Sequence, residues 1–308
     1  TGDGIGTIEY NSNLAHFYAH FVRHTIDTSL EGLTIVYDGA NGAASSVGPE
    51  ILSGLGAKVI NINVNPDGLN INDHCGSTHI EGLQVAVQQH NADLGIANDG
   101  DADRCLLVDE KGQVLDGDQI MLLCALKLKE EGKLKDDTVV GTVMSNIGFH
   151  KAAEELGMKT VSTAVGDRYV LEYMREHDLS VGGEQSGHVI FLDHNTTGDG
   201  MLTAVQVAAL MKEKNQPLSE LAGIMTKYPQ VLINVRVATK TGWEDNDIIK
   251  AAIVTAEGEL GDEGRVLVRA SGTEPLIRVM AEGPNQEELQ SLCQEIADII
   301  GREQGLAD

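Results

Sequence analysis

The sequence of 308 residues is 42% hydrophobic and 4% aromatic and contains 35 glycines, which is typical of a globular α/β protein with many tight turns and not of a fibrous or disordered chain. Its formal net charge of −25 repels polyanions, so we expect neither nucleic acid nor an anionic membrane surface as a partner. No run approaches the roughly 20 apolar residues of a membrane span, the start lacks a leader-like pattern, and the cysteines are scattered. We therefore expect a cytoplasmic protein.

Apolar runs alternate with helical patterns in the first part of the chain. The order is a strand at 33–37, a helical stretch that ends at 56, a strand at 57–60, a helical stretch from 79, and a strand at 94–97. This alternation predicts a parallel sheet covered by helices. We assign residues 1–115 to this first domain.

The same alternation continues into a second domain, which we assign to residues 116–228. It contains a helix at 118–131, a strand at 138–142, a helix at 149–156, a strand at 160–164, and helices at 168–177 and 201–212. From residue 229 the pattern changes to strands at 231–237, 265–269 and 276–281, with helices at 246–259 and from 286. The predicted fold class is α/β: two consecutive three-layer α/β domains with mostly parallel sheets, followed by a smaller α+β C-terminal domain at 229–308.

Three carboxylates alternate in the turn after the strand at 94–97. Asp99, Asp101 and Asp103 would repel one another at this spacing unless a cation lies among them, and oxygen ligands suit Mg²⁺. The adjacent Arg104 offers forked donors to a phosphate. An EF-hand calcium loop is rejected, because Arg104 stands where that loop needs glycine. A solvated acidic turn is the open alternative.

A second loop lies between the two apolar strands near the C-terminus. It combines hydroxyls, a glycine and two arginines: Arg269, Ser271, Gly272, Thr273 and Arg278. Forked donors and successive backbone N–H groups of this kind make a cradle for an anion. The open alternative is an ordinary polar turn with surface arginines.

A third loop connects two strand-like runs of the second domain. It carries Glu184, Gln185, Ser186, Gly187 and His188, whose donors and acceptors suit a polyhydroxylated ligand. The alternative is a hairpin turn with a solvent-facing histidine.

Two weaker candidates, Asp167 and Arg168, lie at the start of the helix at 168–177. Asp167 is most simply the N-cap of this helix, and the alternative is that Asp167 and Arg168 contact a ligand. The turn at 38–42 lacks the glycine spacing of a dinucleotide-binding loop.

Taken in chain order, the loops at 99–104, 183–188 and 269–278 resemble the metal-binding, sugar-binding and phosphate-binding loops of the α-D-phosphohexomutase superfamily, in its second, third and fourth domains. The segments 70–78, 142–146 and 183–188 are more similar to the bacterial phosphoglucosamine mutase branch than to the phosphomannomutase or phosphoglucomutase branches. The resemblance extends over essentially the whole chain.

The resemblance implies an isomerase that interconverts glucosamine 6-phosphate and glucosamine 1-phosphate, through a phosphoserine and a bisphosphate intermediate, on the route to peptidoglycan precursors. It implies hexosamine phosphates as partners and a homodimer of the full-length enzyme. By the same resemblance, Mg²⁺ is held by Asp99, Asp101 and Asp103, and Arg104 and His188 act in catalysis. The implied substrate-binding residues are Glu184, Gln185, Ser186, Gly187, Arg269, Ser271, Gly272, Thr273, Arg278, Asp167 and Arg168.

One departure from the family concerns the nucleophile. Members begin with a domain whose Ser-His-Asn-Pro loop carries the phosphorylated serine, and this sequence has no such loop; His194-Asn195 is flanked by Asp193 and Thr196. We therefore expect a fragment without the phosphoserine domain that is inactive alone. The alternatives are the same chemistry on mannose or glucose phosphates, and a non-catalytic protein that binds sugar phosphates or divalent cations.

Overall fold

The computed structural model describes residues 4, 6, 7, 9, 11, 13–272 and 274–305. The chain forms two compact units, a larger one of residues 1–145 and 152–225 and a smaller one of residues 146–151 and 226–308. Within the described part of the chain, no helix combines the length and the apolar character needed to cross a membrane. The predicted limit at residue 115 stays a prediction, because the larger unit contains the residues on both sides of it.

The first sheet of the larger unit has five strands: β1 (Thr34–Asp38), β2 (Lys58–Ile62), β3 (Leu94–Asn98), β4 (Cys105–Asp109) and β5 (Val114–Leu115). They lie in the order β2-β1-β3-β4-β5. β1 is parallel to β2 and β3, whereas β4 is antiparallel to β3 and β5. β3 is buried along its whole length, as its continuous apolar run leads one to expect of a strand covered on both faces.

The second sheet of the larger unit has four strands: β6 (Thr138–Thr142), β7 (Lys159–Thr163), β8 (Val181–Gly183) and β9 (Val189–Phe191). Their order is β7-β6-β8-β9, with β6 parallel to β7 and β8, and β8 antiparallel to β9. Parallel pairs thus form one side of both sheets, and antiparallel strands complete the other side.

Helices surround and join these two sheets. They are α1 (Asn13–Arg23), α2 (Val47–Gly54), α3 (Glu81–His90), α4 (Gly117–Glu130), α5 (Ile147–Glu155), α6 (Asp167–Glu176), α7 (Gly200–Lys214) and α8 (Leu218–Leu221). Of α5, residues 152–155 belong to this unit and residues 147–151 to the smaller one. α4 contacts strands of both sheets, β4 and β8, and packs against α7. The first three turns of α7 are buried. The two α/β layers therefore share buried helices, which makes them one compact unit.

The smaller unit contains β10 (Gln230–Arg236), α9 (Asp247–Leu260), β11 (Arg265–Ala270), β12 (Leu276–Glu282) and α10 (Gln286–Gln304). Its antiparallel sheet has the order β10-β12-β11. Alternate residues of β12, namely Ile277, Val279 and Ala281, are buried in the core with residues of α9 and α10, so Arg278 faces the other side. The predicted fold class, two α/β domains and a smaller α+β domain, is confirmed.

The helical stretch expected to end at residue 56 is α2, which begins at Val47 and ends at Gly54. The segment after β1 forms turns, as expected at 38–42, because the Asp38 carboxylate accepts the Ala40 N–H at 2.9 Å and Ala40 and Asn41 have φ of 52° and 48°. A short side chain that bonds the backbone two residues on favours a turn over a helix.

Candidate active site

The acidic loop, residues 99–104, reverses the chain between β3 and the antiparallel β4. One carboxylate oxygen from each of Asp99, Asp101 and Asp103 lies within 4.8 Å of the other two. Asp99 is buried, Asp103 is half-buried and Asp101 is exposed. The chain turns at Ala102, whose φ of 63° is unusual for alanine and costs on the order of 1–3 kcal/mol. The local fold therefore brings the three carboxylates together at an energetic cost.

The electrostatics of this loop fit a cation. Burial, and then the charge of Asp103, raise the pKa of Asp99 to about 6. Arg104 balances this charge only partly, because its Nε lies 3.8 Å from oxygens of both Asp99 and Asp103. Oδ1 of Asp103 is buried, and none of the described residues donates a hydrogen bond to it. Together with the two neighbouring carboxylates, this oxygen forms a set of oxygen ligands that suits a hard divalent cation.

Buried polar groups hold the base of the acidic loop. The Asn98 side chain donates to the Arg104 carbonyl at 2.7 Å, and Asn98 accepts from the Tyr37 hydroxyl at 3.0 Å. Both side chains are fully buried. Sequence reasoning missed these supports, although an asparagine and a tyrosine within apolar strands are the signal that could have found them.

The sugar loop, residues 184–188, is the tight connection of the β8–β9 hairpin. The Gly187 N–H donates to the Glu184 carbonyl at 3.0 Å, and the Glu184 N–H donates to the His188 carbonyl at 2.9 Å. The hairpin then bonds the acidic loop, since the Cys105 N–H donates to the Gly187 carbonyl at 3.0 Å and Arg104 forms an antiparallel bridge with His188. Two loops assigned to different domains from the sequence are therefore in direct contact.

His188 is buried, so the alternative of a solvent-facing histidine is wrong. Its Nε2 accepts the Gly198 N–H at 3.1 Å and lies 3.6 Å from Asp103 Oδ2. Its Nδ1 is buried and has no hydrogen-bond partner in the part of the chain that the structure describes. Because Nε2 accepts from a backbone N–H, the neutral ring carries its proton on Nδ1. His188 thus links the hairpin to the acidic loop and keeps one ring N–H unpaired.

Glu184 contacts the start of α6. The Gly166 N–H donates to Glu184 Oε1 at 2.9 Å. Gly166 is the N-cap residue of α6, and Asp167 is the first residue of the helix. The interpretation of Asp167 as the N-cap is therefore wrong. The exposed Arg168 pairs with Glu172 at 2.7 Å on the helix surface, so its side chain is engaged away from Glu184.

A cavity of about 510 Å³ adjoins the acidic loop. Its walls include Asp101, Asp103, Tyr18 and Asp199. The Tyr18 hydroxyl donates to Asp199 at 2.6 Å, and Asp199 caps α7 by accepting the Leu202 N–H at 2.9 Å. The acidic loop therefore faces a space large enough for a ligand or a further protein segment.

The phosphate loop, residues 269–278, lies in the smaller unit. Arg269 and Arg278 are directly opposite each other in the β11–β12 ladder. Burial, and then the charge of Arg278, lower the pKa of Arg269. Nε of Arg278 is buried and has no hydrogen-bond partner among the described residues, and its Nη2 lies 3.3 Å from Glu274. Like charges opposite each other are destabilising, so the pair is better suited to the presence of an anion. Thr273 lies outside the described residues.

Sequence profiles of one family match three successive parts of the chain. They are phosphoglucomutase/phosphomannomutase alpha/beta/alpha domain II at residues 9–112, alpha/beta/alpha domain III at 116–228, and the C-terminal domain at 232–299.

Full-length relatives include three proteins named phosphoglucosamine mutase. That of Desulforamulus reducens is 54% identical over 301 residues, which are 98% of this chain and 68% of the relative. That of Geobacillus thermodenitrificans is 51% identical over 305 residues, 99% of this chain and 68% of the relative. That of Bacillus subtilis is 52% identical over 289 residues, which are 94% of this chain and 64% of the relative. The chain thus spans about two thirds of the length of these relatives.

Solved structures share the fold. A phosphoglucomutase/phosphomannomutase family protein from Burkholderia thailandensis superposes with a TM-score of 0.77 at 20% identity, over 94% of this chain and 64% of that one. The N-acetylphosphoglucosamine mutase of Aspergillus fumigatus, in complex with GlcNAc-6P and magnesium, superposes with a TM-score of 0.77 at 21% identity. The superposition covers 96% of this chain and 67% of that one.

Proposed function

The chain belongs to the phosphoglucomutase/phosphomannomutase family, and we propose that it carries the metal-, sugar- and phosphate-binding loops of a phosphoglucosamine mutase. This enzyme interconverts glucosamine 6-phosphate and glucosamine 1-phosphate. The proposal rests on the contact between the acidic loop and the sugar loop, where His188 Nε2 lies 3.6 Å from Asp103. The contact puts a cation-binding group beside donors and acceptors for a polyhydroxylated ligand. Relatives of this name at 51% and 54% identity support it.

In this proposal Asp99, Asp101 and Asp103 hold Mg²⁺, which supplies charge neutralisation for the transferring phosphoryl group. Arg104 offers forked donors to the same group. The hydrogen bond from the Gly198 N–H to Nε2 of His188 keeps the imidazole in one orientation, with Nδ1–H as the donor of the neutral ring. The magnesium found with the Aspergillus fumigatus relative supports the choice of metal.

We assign the sugar hydroxyls to Glu184, Gln185, Ser186 and Gly187. Because the Gly166 N–H occupies Oε1 of Glu184, Oε2 is the oxygen left to accept a hydroxyl. Ser186 is exposed at the tip of the loop. Contacts from Asp167 and Arg168 have weaker support, since Arg168 would have to leave Glu172 to reach a ligand. In the phosphate loop, a phosphate group is held by Arg269, Ser271, Gly272, Thr273 and Arg278.

Charge and family resemblance support the remaining parts of the proposal. The net charge of −25 disfavours nucleic acid and anionic membranes, and the substrate is a soluble sugar phosphate of the cytoplasm on the route to peptidoglycan precursors. A homodimer of the longer protein rests on the family resemblance alone.

The sugar preference tests the proposed function. We expect the chain to bind glucosamine 6-phosphate more tightly than mannose 6-phosphate or glucose 6-phosphate, as measured by competition in titration calorimetry. A preference for mannose or glucose phosphate would favour a phosphomannomutase or phosphoglucomutase, and binding of none of the three would contradict the proposal.

The 308-residue polypeptide by itself should give no mutase turnover. The covalent step needs a phosphorylated nucleophile, which the family supplies from a Ser-His-Asn-Pro loop, and these 308 residues contain no such sequence. A coupled assay for glucosamine 1-phosphate, on a preparation free of host mutase, checks this. Turnover at the rate of an intact relative would show that another residue of this chain accepts the phosphoryl group.

Replacing Asp101 with asparagine should weaken Mg²⁺ binding by about tenfold or more, because a lost charged contact costs about 1.5–3 kcal/mol. Binding by the wild type should itself be weak, since three carboxylates leave water to complete the coordination shell. Titration calorimetry measures both affinities. Asp73→Asn, which removes an exposed carboxylate of the same unit, is the matched control. Equal Mg²⁺ affinity of Asp101→Asn and Asp73→Asn would eliminate the acidic loop as the metal site.

A further inference from the structure

A lysine outside the three loops bonds the backbone of the phosphate loop. Lys240 follows β10 in the smaller unit, and its Nζ donates to the Ser271 carbonyl at 2.8 Å and to the Gly272 carbonyl at 3.3 Å. It is half-buried. No sequence motif marks it, because it lies 31 residues before Ser271 and in a different turn.

The position of Lys240 is set by the backbone around it. The Val237 N–H donates to the Pro275 carbonyl at 3.1 Å, and the Ala238 N–H donates to the Gln304 carbonyl at 2.8 Å. The turn that carries Lys240 is therefore fixed to both the phosphate loop and the end of α10. Such fixation lowers the entropy that a long lysine side chain loses when it bonds two carbonyls.

The contact decides which way the peptide groups of the loop point. In a trans peptide the carbonyl and the following N–H point in opposite directions, and the chain has no cis peptide among its described residues. With the Ser271 carbonyl held toward Lys240, the Gly272 N–H is turned to the opposite side. Among the described residues, no acceptor is recorded for this N–H. It is therefore available to an anion.

Lys240 also changes the local charge. Carbonyl oxygens near a bound phosphate would repel it, and the Lys240 ammonium offsets the two that it bonds. Lys240 thus adds a cation at the backbone of a loop that already carries Arg269 and Arg278, of which Arg278 pairs with Glu274 at 3.3 Å. In a chain of net charge −25, such a local reversal of sign is what a phosphate site requires.

From these contacts we propose that Lys240 is a positioning residue of the phosphate loop, which orients the Gly272 N–H toward a phosphate monoester and adds to the positive potential there. The inference deepens the proposed function and rests on it for the identity of the ligand. Lys240 acts through the loop backbone, so it is distinct from Arg269 and Arg278, whose guanidinium groups can reach a ligand directly.

The test uses the whole chain, labelled with ¹⁵N, and follows the Gly272 amide during titrations with inorganic phosphate and with glucosamine 6-phosphate. Lys240→Met should weaken the binding of both by about tenfold and shift the Gly272 amide before any ligand is added, because its peptide is released. Lys240→Arg, which keeps the charge and the donors, should restore affinity to within about threefold of the wild type. Lys250→Met, which removes a lysine charge from the exposed side of α9, should bind as the wild type does.

The measurement separates this inference from the proposed function. Since the amide signals report only folded molecules, a loss of stability in Lys240→Met cannot imitate a loss of affinity. If the wild type binds glucosamine 6-phosphate at Gly272 and Lys240→Met binds it equally well, the role of Lys240 is overturned and the proposed function stands. If binding depends on Lys240 but glucosamine 6-phosphate binds no better than inorganic phosphate, the role stands and the proposed substrate is contradicted. If the wild type binds neither ligand, both are overturned.

Discussion

Replacing Gly187 with alanine should lower the free energy of unfolding of the larger unit by about 2–6 kcal/mol. Gly187 has a φ of 93°, a conformation that costs other residues on the order of 1–3 kcal/mol. An added Cβ would also clash with the Cys105 backbone, because it would lie only 2.9 Å from the carbonyl carbon. Overpacking of this kind costs about 1–3 kcal/mol more. The substitution therefore forces the sugar loop away from the acidic loop.

Urea denaturation gives the free energy of unfolding, and hydrogen exchange of the Cys105 amide reports the contact itself. The matched control is Gly82→Ala in α3, where the added Cβ meets no atom within 4 Å and alanine should stabilise the helix by about 0.5–1 kcal/mol. If Gly187→Ala were as stable as the control, with unchanged protection of Cys105, the hairpin would not be docked on the acidic loop.

Replacing Arg278 with alanine should weaken the binding of glucosamine 6-phosphate by roughly ten- to a hundredfold. A hydrogen bond to a charged group contributes about 1.5–3 kcal/mol, and no described residue accepts a hydrogen bond from the buried Nε of Arg278. The fold itself should change little in stability, because the substitution also removes the repulsion between Arg278 and the opposite Arg269.

Titration calorimetry measures this affinity, and Arg302→Ala is the matched control. Arg302 is an exposed arginine of α10 in the same unit, where its Nε bonds the Asp298 carbonyl. Because the chain is strongly acidic, the wild-type chain should bind glucosamine 6-phosphate with a dissociation constant no better than about millimolar. Equal weakening by both substitutions would indicate a general charge effect rather than a site at Arg278.

Strands β3 and β6 could be predicted from the sequence because their apolar runs are buried along the whole strand. The strand expected at 138–142 is β6, Thr138–Thr142, and the run at 94–97 differs from β3 by one residue. The start of α2 at Val47 was not predicted, because side-chain bonds such as that of Asp38 to the backbone, which hold the preceding turn, leave no signal in hydrophobic periodicity.

Proximity within the acidic loop could also be predicted, since Asp99, Asp101 and Asp103 are neighbours along the chain. The contacts of His188 with Asp103 and of Gly187 with Cys105 could not, because they join segments more than 80 residues apart through packing of two sheets on shared helices. The contact of Lys240 with the Ser271 carbonyl could not be predicted either, because it joins two turns 31 residues apart along the chain. Local motifs reveal groups that bind a ligand, whereas the groups that orient them come from tertiary structure.

The most direct test of the account is a map of amide shifts in the ¹⁵N-labelled chain during titration with glucosamine 6-phosphate in the presence of Mg²⁺. We predict that the perturbed amides are those of the sugar loop, residues 184–188, and of Ser271 and Gly272 in the phosphate loop. Perturbations that spare Ser271 and Gly272 and lie elsewhere in the chain would contradict the claim that these loops bind a hexosamine phosphate.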